Sequence, residues 1–108
     1  MSLTPMFFED EFVERYSLEY YEYMKSEECC ITGTEFADPH HLIAIGMGQS
    51  RKKPSSKHFT IVPLCREMHT ELHQIGIHKF QEKYNIQLWQ KAFNMLFNWF
   101  IVQTGRGL

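Results

Sequence analysis

Two short stretches decide how this chain is read: Asp38-Pro39-His40-His41, and Cys65-Arg66-Glu67-Met68-His69-Thr70-Glu71-Leu72-His73. They hold four of the six histidines in two tight pairs, one adjacent and one spaced i, i+4. Residues four apart share a helix face, so His69 and His73 can reach one point. Two imidazoles on one helical turn, with a third from a nearby strand, make a workable metal site. A lone histidine is more often a surface or hydrogen-bonded core residue, and His78 is read that way. Four in this spacing reverse the balance. Between the pairs runs a basic loop with Arg51, Lys52, Lys53, Lys57 and His58. Asp38 is read either as an acceptor for a ligating imidazole or as the cap of the Pro39 turn.

Working outward, His41-Leu42-Ile43-Ala44-Ile45 reads as a strand, and Phe59-Thr60-Ile61-Val62 as the strongest β candidate. Pro63 should end its pairing or place it on a sheet edge. Gly46 to Lys57 reads as a long flexible loop. Cys29-Cys30-Ile31-Thr32-Gly33-Thr34 suggests a knuckle or turn. A helix over Arg66–Ile75 should stop at Gly76, where a left-handed residue is wanted. A short helix over Ile77–Tyr84 should break at Asn85. The last helix, Leu88–Val102, is expected to bury Leu88, Ala92, Phe93, Leu96, Phe97 and Phe100 along one face, with Trp89 and Trp99 as extra rings. The tail Thr104–Leu108 should fray. At the other end, Phe8, Phe12, Tyr16, Tyr20 and Met24 recur every four residues, predicting an amphipathic helix from about Glu9 to Ser26. The expected fold is α+β in one domain over 1–108: an N-terminal helix at 9–26, a core at 29–84 and a C-terminal helix at 87–102.

Composition narrows the function classes. A hydrophobic fraction of 44% and an aromatic share of 15% describe a globular chain whose core is built from rings. The net charge of −2 hides a division: residues 1–30 carry eight acids against two bases, residues 31–108 nine bases against five acids. The first half reads as a packing helix with a solvated acidic side. The second half is compatible with gripping a phosphate backbone locally, although the pI of 6.3 argues against a general nucleic-acid coat protein. No apolar run is long enough to span a bilayer, and no signal peptide is expected. Three cysteines, an odd number with two adjacent, do not make a disulfide framework. A reducing, cytoplasmic compartment follows as the expectation.

Strand, basic loop, strand and helix, with histidines at the first strand and on the helix, form a ββα-metal arrangement. The segment from Cys29 to Tyr84 resembles the HNH nuclease family, especially its phage and prophage group. The matching pieces are Asp38-Pro39-His40-His41-Leu42-Ile43, Val62-Pro63-Leu64-Cys65-Arg66 and His69-x3-His73-x2-Gly76. The resemblance implies that His40, His69 and His73 hold one divalent cation (Mg²⁺, Mn²⁺ or Zn²⁺) and that His41 is the general base. The cation would stabilise the leaving 3′ oxygen of a DNA phosphodiester while His41 takes a proton from water. Neighbours on a strand point to opposite faces, so both histidines serve one site only where the strand begins or bends, and Pro39 predicts such a bend. The family's middle asparagine is absent. His58 or Thr60 must substitute, or the backbone orients the base, and His58 is the first candidate. Arg51, Lys52, Lys53 and Lys57 would contact phosphates. Many relatives carry a structural zinc on paired cysteines. Here Cys29 would pair with Thr32 and Cys65 with Met68, which suggests replacement by packing, and Cys30 leaves a three-residue or mixed site as the alternative.

Three readings compete: a metal-dependent DNA endonuclease leaving 5′-phosphate ends, a catalytically silent metal-binding module that holds DNA or protein, and an interaction protein working through its aromatic helices. A leftover apolar face on the C-terminal helix would suit a homodimer contact.

Overall fold

The computed structural model describes residues 10–46 and 51–103. Its elements run α1 (Asp10–Met24), β1 (Asp38–His41), a 3₁₀-helix (Ser56–Thr60), β2 (Ile61–Leu64), α2 (Arg66–Ile75), α3 (Ile77–Tyr84), α4 (Leu88–Asn98) and a π-helical turn (Trp99–Gln103). These residues are α+β, four α-helices around a two-stranded antiparallel sheet. Phe8 and Glu9 of the expected first helix, Met47–Ser50 of the expected loop and the tail Thr104–Leu108 lie outside the described residues. No described helix is long and apolar enough to cross a membrane.

The strands pair as Asp38↔Leu64, Pro39↔Pro63, His40↔Val62 and His41↔Ile61. Two prolines face each other, and neither has an N–H to give, so theirs is a non-hydrogen-bonded pair. Antiparallel alternation then makes His40↔Val62 a bonded pair, and Leu42↔Thr60 the next. The Leu42 N–H indeed donates to the Thr60 carbonyl at 2.8 Å. In a two-stranded sheet each strand is an edge, which is where proline is tolerated.

Both strands are displaced from the sequence expectation. β1 ends at His41, where the expected strand begins, and β2 starts at Ile61, two residues into the expected Phe59–Val62. Local hydrogen bonds explain the second shift. Ser55 Oγ accepts from the Lys57 N–H at 3.1 Å, and Thr60 Oγ1 donates to the Lys57 carbonyl at 2.8 Å. These close a 3₁₀ turn over Phe59 and Thr60 that competes with the ladder. The Ser55 N–H also donates to Ser17 Oγ on α1 at 3.2 Å, so this end of the basic loop is tied down rather than flexible.

Every residue of β2 is buried, and its alternation divides the core. Val62 and Leu64 pack with Met68 and Leu72 of α2, Phe80 of α3, and Leu88 and Ala92 of α4. Ile61 packs the other way, with Tyr16, Tyr20 and Met24 of α1, Phe59 and Trp99. Burying an aliphatic side chain fully contributes roughly 1.5–3 kcal/mol, whereas a cross-strand pair contributes roughly 0.2–1 kcal/mol. The three aliphatics therefore set where β2 lies, and β1 follows it. The α1 stripe of Phe12, Tyr16, Tyr20 and Met24 faces the core as its spacing implies, widened by Ser17 and Tyr21.

α4 corrects another expectation. Phe93 and Phe97, expected in the core, are 64% and 55% exposed, while Trp99 is 3% exposed. Leu88, Ala92 and Trp99 form the buried side.

α2 and α3 keep the expected bounds. Gly76 ends α2 at φ +86° and ψ 162°, its N–H donating to the Leu72 carbonyl at 2.9 Å, and Asn85 ends α3 in the left-handed region. Glu71 accepts from both Lys83 Nζ and Tyr84 Oη, which holds α2 against α3. A Cβ at Gly76 would meet nothing within 4 Å, so its cost is backbone strain alone. Gly76→Ala should lower the unfolding free energy by about 1–3 kcal/mol in urea titration, and no loss would show that the turn relaxes freely.

Candidate metal centre

On α2, Met68 and Leu72 point into the core, and His69 and His73 each lie one position further round. Helix periodicity thus turns the two imidazoles toward the rim of the sheet rather than into the core. His40 stands opposite Val62, and directly opposed residues share a sheet face. That is the face on which α2 packs. The three rings converge, with centroids 4.7 Å apart for His40–His69, 4.7 Å for His69–His73 and 5.6 Å for His40–His73. One nitrogen from each lies within 4.8 Å of the others, and His69 Nε2 is 3.0 Å from His73 Nε2. Tetrahedral zinc–imidazole bonds of 2.0–2.1 Å would separate ligand nitrogens by roughly 3.3 Å, so the donor set fits a cation with little movement. Among the described residues, this is the group of metal-ligating side chains that converges.

His41 stands opposite Ile61 and therefore leaves the strand on the other face, toward α1. Its partner is His58, carried by the 3₁₀-helix. His41 Nε2 and His58 Nδ1 are 3.0 Å apart, and His58 Nε2 lies 2.8 Å from the Lys53 carbonyl. A carbonyl only accepts, which assigns the hydrogens along the chain. His58 Nε2–H donates to Lys53, His58 Nδ1 accepts from His41 Nε2–H, and the lone pair of His41 is left on Nδ1. Tyr21 covers both rings, with centroids 5.7 Å from His41 and 4.9 Å from His58. Pro39 therefore produces no bend that swings both imidazoles to one side, because it is held in the ladder opposite Pro63. Thr60 is not the orienting group: its hydroxyl serves the Lys57 carbonyl and the Ile43 N–H.

Burial, with neighbouring charge, favours the neutral form of His40, His41, His58 and His69. Burial, then the charges of His69 and His73, hold His40 down at about 4. Burial, then His58 and Arg51, hold His41 at about 4. Burial also lowers His58, against the raising effect of the Lys53 carbonyl, and burial followed by His73 lowers His69, partly offset by Asp38. Neutral imidazoles present the lone pairs that a metal needs. Arg51 acts on His41, His58 and His69, so its charge reaches both histidine groups. Lys52, Lys53 and Lys57 follow on the same loop, with Lys57 half-buried. His78 is exposed, as expected.

Cys29, Cys30 and Cys65 are free thiols. Burial raises the Cys29 thiol, but the Thr32 hydroxyl and the amides of Cys65, Thr32 and Ile31 outweigh it and bring it to about 7. Thr32 Oγ1 is also 3.8 Å from Cys65 Sγ. Tyr21 and the Lys53 carbonyl were not legible as site groups. Tyr21 stands beside the every-fourth-residue stripe, with the polar Ser17 one turn before it, and a carbonyl leaves no trace in sequence.

The family described as "Protein of unknown function (DUF968)" matches residues 6–99. The chain belongs to this family. It is also 38% identical over 69 residues to "Uncharacterized protein YdfU" of Escherichia coli (strain K12), covering 64% of this chain and 19% of that protein. The chain thus spans about a fifth of the length of the curated relative it matches. No solved structure matches it. The HNH membership expected from the histidine motifs is corrected by this result, because a DUF968 match embraces all three motif pieces. Spacings as short as His-His and His-x3-His follow from strand and helix geometry, and such sites recur on different frames.

Because His40 and His41 are held at about 4, the unfolded chain binds protons that the folded chain does not between that value and about 6.5. Stability of the metal-free protein should be complete above about pH 6.5 and decline as the pH falls toward about 4. Urea midpoints measured across that window test this, with a shallower decline expected for His41→Gln. A flat profile would contradict the neutral-histidine assignment.

Proposed function

We propose that this domain is a divalent-metal-dependent endonuclease that hydrolyses DNA phosphodiester bonds. The observation that carries the reading is the convergence of His40, His69 and His73 beside a second, hydrogen-bonded histidine pair. Three imidazoles leave coordination positions open, the pattern of a catalytic rather than a structural centre. A cation held there supplies positive charge that stabilises the leaving 3′ oxygen. The chain's own groups do the rest. His41 Nδ1 accepts a proton from water, the hydroxide forms a bond to phosphorus, and the bond from phosphorus to the 3′ oxygen breaks, leaving a 5′-phosphate. His58 holds His41 Nε2–H through Nδ1 and fixes the tautomer that makes this possible. Arg51, whose charge reaches both histidine groups, suits a phosphate lying between them, and Lys52, Lys53 and Lys57 extend that grip along the backbone.

One observation favours a second reading, a metal-holding module that binds DNA or protein without cutting. His41 leaves β1 on the face away from the three-histidine cluster, where it is 8% exposed and a weak proton acceptor at about 4.

Plasmid nicking with Mg²⁺ or Mn²⁺ separates the two. His41→Ala should lose about 10²–10⁴-fold in rate while retaining metal affinity, and His69→Ala should lose both. His58→Ala should slow cleavage without changing metal affinity, and His58→Asn should recover part of the rate, since an amide oxygen can accept from His41. If His41→Ala cuts as fast as the parent, the proposed base is wrong. If the parent binds metal and never cuts, the second reading stands.

The basic loop makes a separate prediction. Replacing two of Arg51, Lys52, Lys53 and Lys57 with alanine should lower the salt-dependence slope of DNA binding by about 0.9 per lost phosphate contact. An unchanged slope in fluorescence anisotropy would show that the loop is only solvated charge.

A further inference from the structure

We propose that the outward face of α4 pairs two copies of this chain in an antiparallel, two-fold arrangement centred on Phe93. That face carries Trp89, Phe93 and Phe97 at intervals of four, exposed by 48%, 64% and 55%. The rings of Phe93 and Phe97 already stack, 5.9 Å apart and 18° from parallel. The following π-helical turn has a wider repeat than an α-helix. It brings Val102, 62% exposed, into line after Phe97 while Trp99 stays in the core.

Charge argues for a second copy as the occupant. From Leu88 to Gln103 only Lys91 is charged, and the exposed polar residues around the stripe are the amides Gln90, Asn94 and Asn98. A partner selected by charge would find only Lys91 to read, and a face with so little charge repels a second copy of itself only weakly. The spacing argues likewise. Trp89 and Phe97 stand symmetrically about Phe93, so a two-fold axis through Phe93 lays Phe93 on Phe93 of the partner subunit. It also sets Trp89 against Phe97 of the partner subunit, twice, which is the self-complementarity of an isologous contact.

Area sets the strength. Aromatic side chains bury roughly 150–250 Å² each, so three half-exposed rings offer about 300 Å². A standard interface needs about 800 Å² per partner, of which roughly 60% is apolar. The rings supply more than half of that apolar share, and Val102 with the stems of the flanking amides adds to it. The contact is therefore below the standard size, and the association it supports is weak and reversible. It does not depend on the reading of the histidine site.

Analytical ultracentrifugation of the 108-residue chain tests it. The expected result is a concentration-dependent rise from 12.9 kDa toward twice that mass. Phe93→Glu should sediment as a monomer with its circular dichroism and thermal midpoint unchanged, because the ring contributes little to the fold. Trp89→Glu and Phe97→Lys should each weaken association by at least about tenfold. Combined, they should weaken association less than the sum of the two single losses, since opposite charges then meet across the axis. A monomer at every concentration up to about 100 µM, or a dimer that Phe93→Glu leaves intact, overturns the proposal. Losses that are strictly additive in the double variant overturn the antiparallel register.

Discussion

The structure depends on one constraint, the strict alternation of side chains along a short strand whose register is pinned. β2 is buried on both faces, Val62 and Leu64 toward α2 and Ile61 toward α1. Because β1 pairs residue for residue with β2, each of its histidines inherits the face of the residue opposite. His40, opposite Val62, is delivered to α2, and His41, opposite Ile61, to α1. A slip of one residue would exchange them and dismantle both groups at once. The apolar side chains of β2 thus determine the chemistry of polar side chains on its neighbour.

The two groups that result are built differently. The three imidazoles of His40, His69 and His73 crowd one another, with one nitrogen of each within 4.8 Å of the others, which suits a site completed by a cation. His41 and His58 are already satisfied, linked to each other and to a backbone carbonyl beneath the ring of Tyr21. One group is poised to take something in, and the other to hold a tautomer. Burial holds His40, His41, His58 and His69 below the usual imidazole range, so the same packing that folds the sheet prepares their lone pairs. The charge of Arg51 lowers His41, His58 and His69 alike, so it is felt in both groups.

Helix ends were the most legible part of the fold. Gly76 and Asn85 stop α2 and α3 where expected, Asn85 in the left-handed region and Gly76 at positive φ with an extended ψ instead, and the i, i+4 spacing of His69 and His73 puts both on one turn. The strand limits were not legible, because Ser55 and Thr60 close a local turn that wins over the β-branched run, and because two facing prolines are tolerated only in a register that sequence does not display. α4 was misread for a different reason. Its apolar residues occupy two sides of the helix, Leu88, Ala92 and Trp99 on one and Trp89, Phe93 and Phe97 on the other, and periodicity cannot say which side meets the core. Within the site, four of the five histidines announce themselves by pairing. The role of His58 could be ranked above that of Thr60 but not established, since it rests on the Lys53 carbonyl fixing one tautomer. The family assignment failed because three short motif pieces within 29–84 were read as a family signature, whereas the match over residues 6–99 is to DUF968.

The most direct measurement is zinc titration followed by imidazole ¹⁵N resonances of the intact chain. Separation of the adjacent histidines onto opposite faces predicts that one equivalent shifts the ring nitrogens of His40, His69 and His73. Those of His41 and His58 should keep the pattern of their shared hydrogen bond. Metal-induced coordination shifts at His41 or His58, or their absence at His40, would contradict the account.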